Sequence, residues 1–353
     1  MKIKRVQLSI LLNGVGAAIK DKSPLPILTH CKLRTFGDLL EAEASSLDLF
    51  MQSRVECEGK LEPVCVKHAA LLPIVAASTC EEVELELAKD KLIVKAGKSV
   101  FRLNTLDAAE FPPMPSHAVN FNVPQKSLSE ALRATAWSVI SSKANRPELE
   151  NVILKLGDGL CRAFAGNGYS LAAYKEECQC QDLVLAVPGA HAVKLANALL
   201  CTGATFWVSE NYCGVTTGFT HMAVKLTEQK IPAFDQVIKA MEKPAPNAML
   251  KLEDLKAIAS KTKLLSDNVA EIPIVKLTIS KGKVEIEGAG NIGDFTDSFE
   301  WSGDHEASFR LNAGYLTATL KHLIGETVSV HATEFISVWS DGLRTIGLAR
   351  IKD

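Results

Sequence analysis

The chain has 353 residues, of which 47% are hydrophobic and 23% are charged, and its formal net charge is −2. This length exceeds that of an ordinary single domain and predicts two or three domains, while the composition excludes a disordered chain. The net charge excludes a uniformly basic nucleic-acid-binding protein but allows one that gathers its positive charge on one surface.

The sequence has no long apolar stretch of the kind that crosses a membrane. No run approaches the roughly 20 apolar residues that a membrane helix needs, so we expect a cytoplasmic protein. The nine cysteines are an odd number and include no CxxC pair, which suggests reduced, mostly buried thiols. Cys178 and Cys180 lie close together, but no histidine or third cysteine is near them in the sequence. We therefore expect no metal and no cofactor.

In chain order, the first strong pattern is a strand at 63–66 followed by a helix from 67, in which Pro73 is expected to kink or delay the helix. Residues 83–94 then alternate apolar and polar side chains across a central turn, which predicts a hairpin. Later segments repeat these patterns. Helices are predicted at 128–137 and 252–259, strand–helix pairs at 185–195 and 309–320, and a hairpin at 275–286.

The repeated patterns are separated by a nearly constant distance. Taking Val66, Val187 and Leu311 as equivalent gives spacings of 121 and 124 residues. The loops after the first hairpins, which start at residues 44, 165 and 289, give the same two spacings. We therefore predict three α+β domains, each with two helices packed on antiparallel sheet, that span residues 1–117, 118–242 and 243–353.

Charge is distributed unevenly over these predicted elements. Lysines and arginines occur on or beside the helices, whereas many acids occur on the strands, as at 82–86 and 285–287. A helix face rich in Lys and Arg would attract DNA phosphates without reading sequence, although such residues also solubilise exposed helices.

The three-unit chain resembles the beta subunit of bacterial DNA polymerase III over its whole length. The segments that carry the resemblance are Leu103–Pro112, Gly168–Ala172 and Phe309–Leu316. The resemblance implies a head-to-tail homodimer in which two chains form a six-domain ring, with helices lining a hole for double-stranded DNA. It implies a sliding clamp, a non-catalytic processivity factor in DNA replication.

The same resemblance implies partners and site residues. The partners are duplex DNA, bound without sequence specificity, a second copy, the replicative polymerase, the clamp loader and other proteins with a short hydrophobic motif. The implied peptide-binding pocket comprises Leu149, Gly166, Gly168, Tyr169, Ser170, Leu171, Pro232, Gln236, Val237, Asn312, Tyr315, Phe335, Ser337, Ile346, Leu348 and Arg350. The candidates for DNA contact are Lys22, Lys67, Lys143, Arg146, Lys194 and Lys256. Those for the dimer contact are Phe101, Leu264 and Leu265.

Three departures from the family pattern concern the pocket. Tyr169-Ser170 replaces the common His-Arg pair, Leu149-Glu150-Asn151 replaces Leu-Asn-Gly, and the chain ends in Leu348–Asp353 rather than Met-Pro-hydrophobic-Arg. These changes affect the expected choice of partners more than the architecture. They are compatible with a divergent chromosomal clamp and with one from a phage or plasmid.

The alternatives to a clamp are an enzyme and a non-replicative interaction scaffold. Gly288, Gly290 and Gly293 satisfy a GxGxxG pattern, but a dinucleotide site needs a helix next, and residues 294–301 alternate like a strand. His331 and Glu334 form an isolated HxxE, so an enzyme is not predicted. The stronger alternative is a non-replicative interaction scaffold with the clamp fold, which would keep the pocket and lose the ring or its basic lining.

Overall fold

The computed structural model describes residues 1–116, 119–140, 146–228, 232, 234–242, 248–265 and 273–351. Its helices are α1 Arg5–Gly16, α2 His68–Ala77, α3 Gln125–Thr135, α4 Gly189–Leu199, α5 Asp235–Met241, α6 Leu252–Lys261 and α7 Ala313–His322. Across these described ranges, none of the helices is long and apolar enough to cross a membrane.

The strands are antiparallel wherever they pair. In the first third of the chain they are β1 Lys2–Lys4, β2 His30–Phe36, β3 Leu39–Ser45, β4 Leu49–Glu56, β5 Val64–Lys67, β6 Glu82–Ala88, β7 Lys91–Ala96 and β8 Ser99–Leu106. The middle third contains β9 Val119–Asn120, β10 Asn151–Gly157, β11 Leu160–Gly166, β12 Ser170–Glu177, β13 Leu183–Pro188, β14 Thr205–Val208, β15 Tyr212–Thr216 and β16 Thr220–Lys225. The last third contains β17 Ala248–Lys251, β18 Ile274–Ser280, β19 Lys283–Ala289, β20 Asp294–Glu300, β21 Ala307–Asn312, β22 Thr327–Ala332, β23 Ile336–Ser340 and β24 Arg344–Ala349.

The predicted repeat is present three times in this order of elements. A strand leads directly into a helix at β5–α2, β13–α4 and β21–α7, which confirms the pattern around Val66, Val187 and Leu311. The predicted hairpins are β6–β7 and β18–β19. The fold class is therefore the expected α+β repeat, with the helices on one side of antiparallel sheet.

The prediction that Pro73 would delay its helix is wrong. Helix α2 begins at His68 and continues through Pro73 to Ala77. A proline in a helix lacks the N–H that would bond to the carbonyl four residues earlier, here that of Ala69. Both residues are exposed, so water can satisfy the free carbonyl.

Close contacts divide the chain into two compact units, and the first comprises Met1–Ser129 and Lys194–Thr227. Its strands form one twelve-stranded sheet in the order β1-β6-β7-β8-β5-β2-β3-β4-β16-β15-β14-β9. Met51 of β4 lies opposite Met222 of β16, so the first and second repeats share this sheet. Helix α1 buries Leu8, Leu11 and Val15 along one face, at the spacing of a helix packed on a core.

The second unit comprises Glu130–Val193 and Glu228–Asp353. It contains an eight-stranded sheet, β13-β10-β11-β12-β24-β23-β22-β17, and a four-stranded sheet, β20-β19-β18-β21. Its main core is formed by side chains from both sheets and from α6 and α7, among them Leu255, Leu277, Leu316 and Trp339. Because neighbouring repeats share sheets, the contacts do not separate three bodies, and the boundaries 1–117, 118–242 and 243–353 stay a prediction.

Candidate functional site

Strands β12 and β24 join the second and third repeats within the second unit. In this pair Ser170 lies opposite Leu348, and Leu171 lies opposite Gly347. Opposed residues share a face of a sheet, and successive residues alternate between faces. The predicted pocket residues on these strands are therefore divided, with Leu171 on one face and Ser170 and Leu348 on the other.

The face that carries Leu171 is covered by an apolar cluster. Its members are Leu171, Met241, Val338, Phe234, Ile238 and Ile336. Two glycines make room for it. A Cβ atom on Gly347 would lie 3.0 Å from the Met241 sulfur, and one on Gly166 would lie 3.4 Å from the Phe234 ring. The absence of side chains at these positions thus allows α5 and the residue before it to approach the sheet closely.

The turn between β11 and β12 presents an aromatic side chain to solvent. The side-chain oxygen of Asn167 accepts hydrogen bonds from the backbone N–H groups of Tyr169 and Ser170, at 2.9 and 2.8 Å. Gly168 has a φ of +91°, a left-handed conformation that favours glycine. Tyr169 is 63% exposed. Its ring stacks on that of Tyr315, with centroids 5.7 Å apart and planes 20° from parallel.

Asn312 fixes the position of Tyr315. Its side-chain oxygen accepts a hydrogen bond from the Tyr315 backbone N–H at 3.1 Å and so caps α7. Burial and the neighbouring Tyr169 raise the pKa of the Tyr315 phenol. The Tyr315 phenol is therefore neutral over the physiological pH range, and the stacked rings offer apolar faces and hydroxyl groups to a ligand.

A second exposed aromatic side chain flanks the end of β24. The Ala349 N–H donates to the Tyr169 carbonyl at 2.8 Å, and the Arg350 N–H donates to the Phe335 carbonyl at 2.9 Å. Phe335 is 63% exposed. Tyr169 and Phe335 thus border residues 349–350 on opposite sides. The Arg350 guanidinium donates to the Ser308 carbonyl at 3.1 Å, so it is already engaged within the third repeat.

Several predicted pocket residues are buried. The hydroxyl oxygens of Ser138 and Ser170 are 2.8 Å apart, and the Ser337 hydroxyl accepts a hydrogen bond from the Trp339 indole at 2.9 Å. These hydroxyls have protein partners, which lowers their availability to a ligand. Side chains with no more than a few per cent of their surface exposed are Leu149, Leu171, Ile346 and Leu348.

The sixteen predicted pocket residues thus fall into three groups by exposure. The exposed ones are Gly168, Tyr169, Gln236, Val237 and Phe335. Pro232, Asn312, Tyr315 and Arg350 are half-buried. Leu149, Gly166, Ser170, Leu171, Ser337, Ile346 and Leu348 are buried. Only the exposed and half-buried residues are available to contact a peptide directly without a rearrangement, and the buried ones support them.

An ionic network next to this site was missed by the sequence analysis. The Arg344 guanidinium donates to Glu130 at 2.8 Å and to Asp341 at 3.4 Å, and it lies 6.0 Å from the centre of the Tyr174 ring. Burial, with a hydrogen bond to Glu176, raises the pKa of Tyr174 far above its usual range. Arg344 and Glu130 are 214 positions apart, so no local pattern could have paired them.

Strand β8 leaves part of its edge without a partner among the described residues. Its residues 99–104 pair with β7, but on the other side only Thr105 and Leu106 pair with β5. Phe101, predicted at a dimer contact, is 37% exposed on this edge. It lines a groove of about 660 Å³ together with Pro73, Ile74 and Lys98.

Strand β20 is an edge strand of the four-stranded sheet, because within the described part of the chain it pairs with β19 alone. Asp294 and Glu300 are exposed at its ends. Nearby, the two leucines predicted at the dimer contact differ. Leu264 is 74% exposed, whereas Leu265 is 8% exposed and packs against Gly288 and Gly290. Only Leu264 is therefore free to contact a partner.

The predicted DNA-contact residues lie in both units. In the first unit Lys22 and Lys67 are exposed, and the Lys194 ammonium donates to the Ala17 carbonyl at 3.2 Å. In the second unit Arg146 is paired with Glu148 at 3.2 Å, and the Lys256 ammonium donates to the Leu323 carbonyl at 3.4 Å. Lys143 lies outside the described residues.

The glycine motif lies in a hairpin. Gly288 belongs to β19, and Gly290 and Gly293 belong to the turn before β20. The prediction that a strand follows these glycines is confirmed, and a dinucleotide site would need the N-terminus of a helix at this point. In the described ranges, no three His, Cys, Asp or Glu side chains are grouped so that they could hold a metal ion.

Comparisons with known proteins agree with this architecture. Residues 1–115 match the family model described as DNA polymerase III beta subunit, N-terminal domain. The beta sliding clamp of Pseudomonas aeruginosa is 26% identical over 298 residues, which cover 81% of this chain and 79% of the relative. That of Pseudomonas putida is 24% identical over 336 residues, which cover 92% of this chain and 89% of the relative.

Solved structures match over the full length. The DNA polymerase III subunit beta of Pseudomonas aeruginosa superposes with a TM-score of 0.88 at 20% identity and covers 100% of both chains. The sliding clamp of Bacillus subtilis gives a TM-score of 0.89 at 19% identity, with 100% of this chain and 98% of the other covered. The fold is thus that of the three-repeat clamp proteins. In sequence the chain is similar to beta sliding clamps, and its first 115 residues match the N-terminal domain of the DNA polymerase III beta subunit.

Proposed function

We propose that this protein is a DNA sliding clamp, in which two copies close a ring of six domains around duplex DNA and hold partner proteins to it. It acts as a non-catalytic processivity factor in replication. The observation that carries the proposal is that two incompletely paired strands, β8 and β20, lie beside the exposed Phe101 and Leu264 and bear opposite charges. A head-to-tail dimer needs two such different surfaces on each chain.

The two edges carry opposite charges. Lys98 precedes β8 and Arg102 lies within its exposed part, whereas Asp294 and Glu300 are the first and last residues of β20. Antiparallel pairing of β8 with the partner's β20 would satisfy the free backbone groups of both strands. The exposed Leu264 of one protomer then has the groove beside Phe101 of the other as an apolar site.

The dimer is tested by sedimentation of the full chain. We expect twice the chain mass of 38.1 kDa. Replacing Phe101 by Asp should shift the protein to monomer, because the charge would be buried against Leu264. The matched control is Phe36→Asp, which places the same charge at an aromatic side chain that is 69% exposed at the end of β2. A wild-type protein that sediments as a monomer at micromolar concentration would contradict the ring.

The topological part of the proposal is tested on DNA. After loading by a clamp loader, the ring should stay on closed circular duplex DNA and leave when the circle is cut. Retention on the cut ends would show attachment to the DNA surface and would overturn the sliding mechanism.

Partner proteins are proposed to bind at the rim formed by Tyr169, Tyr315, Phe335 and Val237, through a short hydrophobic peptide. Burial of one such side chain against the peptide contributes about 1.5–3 kcal/mol, so Tyr169→Ala should weaken binding roughly tenfold or more. Titration with a polymerase-derived peptide measures this effect. Phe219→Ala, which removes an equally exposed aromatic ring in the first unit, serves as control. If Tyr169→Ala and Phe219→Ala lost the same affinity for the peptide, the peptide would not bind at Tyr169.

One observation favours the interaction scaffold as a second candidate. Apart from Arg5 and His68, helices α1 and α2 contain no ionisable side chain, and exposed residues on them include Val6, Ile10 and Ala69. The first repeat therefore offers few cations to DNA on its helices. The loading experiment separates the candidates, because a scaffold without a ring would not be retained on circular DNA.

A further inference from the structure

Two partly exposed thiols lie in contact at the end of the β11–β12 hairpin, outside both the peptide rim and the strand edges. The Sγ atoms of Cys178 and Cys180 are 3.5 Å apart, in a segment between β12 and β13 that belongs to neither strand. The nine cysteines are free thiols in this structure. We propose that Cys178 and Cys180 form a reversible oxidation site, in which a peroxide converts the two thiols to a disulfide.

The local backbone allows the sulfur atoms to close the remaining distance. Residues 178–182 lie outside the strands, and the backbone N–H of Cys178 donates to the Gly159 carbonyl at 2.9 Å. This bond holds one end of the segment, while Gln179 and Cys180 belong to no helix or strand. A disulfide between residues two apart closes a very small ring, so we expect a strained bond that thiols reduce readily.

Disulfide formation takes two steps: one cysteine attacks the peroxide, and the other then attacks the oxidised sulfur. The surroundings of the thiols indicate which cysteine reacts first. Burial, together with the adjacent Cys180 sulfur, raises the pKa of Cys178 to about 11. Cys178 therefore keeps its proton near neutral pH, and its thiol donates to the Cys180 sulfur at 3.5 Å, so Cys180 is assigned the first attack. Its thiolate displaces hydroxide from the peroxide, which breaks the O–O bond and forms a sulfenic acid. Cys178 then attacks that sulfur, the S–S bond forms and water leaves.

The reaction is balanced with hydrogen peroxide as the oxidant. Two thiols lose two electrons and two protons, and one peroxide is reduced to two molecules of water. The raised pKa of Cys178 predicts that disulfide formation accelerates as pH rises from neutral towards 11, because attack requires the thiolate.

A third thiol lies beside the pair and defines the main alternative linkage. Cys161 is fully buried, and burial, followed by the charges of Cys178 and Cys180, raises its pKa to about 12. Its burial leaves it poorly accessible to an oxidant. The pairing in the disulfide is therefore expected to be 178 with 180.

The experiment uses the full chain with Cys201→Ser, because Cys201 is exposed and could cross-link two chains. The folded protein is treated with hydrogen peroxide, alkylated, and analysed by intact mass and by peptide mapping, with and without later reduction by dithiothreitol. We expect loss of the mass of two hydrogens, protection of both thiols in the peptide that contains 178 and 180, and full recovery on reduction.

Two matched variants complete the test. Cys178→Ser and Cys180→Ser should each abolish the loss of two hydrogens, while Cys57→Ser, which changes a half-buried thiol elsewhere, should leave it unchanged. The proposal is overturned if both thiols remain alkylatable after the peroxide treatment, or if the mapped linkage joins Cys161. A melting curve on each variant establishes that the reaction is measured on folded protein.

Discussion

Glu41 is the centre of a charge network across strands β2, β3 and β4 of the first repeat. It is 1% exposed, and it accepts hydrogen bonds from Arg34 at 2.6 Å and Arg54 at 2.7 Å. Burial alone would raise the pKa of this carboxyl, but the two arginines outweigh burial and hold the pKa below its usual value. The ionised form is thus the one that the folded state prefers.

Replacing Glu41 by Gln should destabilise the protein by about 2 kcal/mol at neutral pH, since two charge-assisted hydrogen bonds are lost. The folded-state pKa is lowered, so this contribution is present above the ordinary glutamate pKa and disappears as pH falls through the folded value. Chemical denaturation at several pH values measures it. The variant should show a shallower loss of stability in acid than the wild type.

Glu86→Gln is the control for this prediction. Glu86 pairs with Lys95 at 3.2 Å, but both side chains are about half exposed, and such pairs contribute less than about 1 kcal/mol. If the free energy of unfolding of the Glu41→Gln variant fell with pH as steeply as that of the wild type, the charge of Glu41 would make no contribution to stability.

At the scale of elements, the position of α5 depends on the absence of a side chain at Gly347. Gly347→Val should push Met241 away from β24, because a Cβ atom alone would lie 3.0 Å from its sulfur. Overpacking of this kind costs about 1–3 kcal/mol. We also expect weaker peptide binding, because Val237 is carried by the same helix.

Denaturation midpoints and peptide titrations of the Gly347→Val variant measure both effects. The control is Gly218→Ala, in a turn where an added Cβ has open space. If Gly347→Val had the same denaturation midpoint as that control, the close packing of α5 on β24 would not contribute to stability.

The elements were more predictable from the sequence than the site. Hairpins such as β6–β7 and helices such as α6 follow from periodicity within a dozen residues. The burial of Leu348 depends instead on its register opposite Ser170 in β12, and the contact of Arg344 with Glu130 joins residues far apart in the chain. Such pairings are fixed by tertiary packing. The resemblance therefore yields a prediction of the pocket residues, which stays a prediction, but it could not give their division between two faces of the sheet.

At the scale of the whole molecule, a closed ring would keep the protein on circular DNA even where its electrostatic attraction to the DNA is weak. Phosphate contacts weaken steeply with salt, whereas a closed ring on a circle is linked mechanically. We expect ring lifetimes on nicked circular DNA to change less than about threefold when salt rises from 50 to 200 mM, against the roughly thousandfold loss expected for a protein held by many phosphate contacts.

Single-molecule or gel-filtration retention measures this lifetime. Linear DNA of the same length provides the control, since the ring should leave its ends at both salt concentrations. A steep fall in lifetime on the circle, without dissociation of the dimer, would mean that charge and not closure retains the protein.

The opposite charges of β8 and β20 have a consequence for coexistence with other clamps in one cell. In the proposed β8–β20 contact both edges belong to the same chain, so reversing the charges at Arg102 and Glu300 together should preserve assembly of the variant with itself and oppose assembly with unmodified copies. Such paired changes could prevent a divergent clamp from forming mixed dimers with another clamp in the same cell. They would not require any change in the residues proposed to contact DNA or peptide.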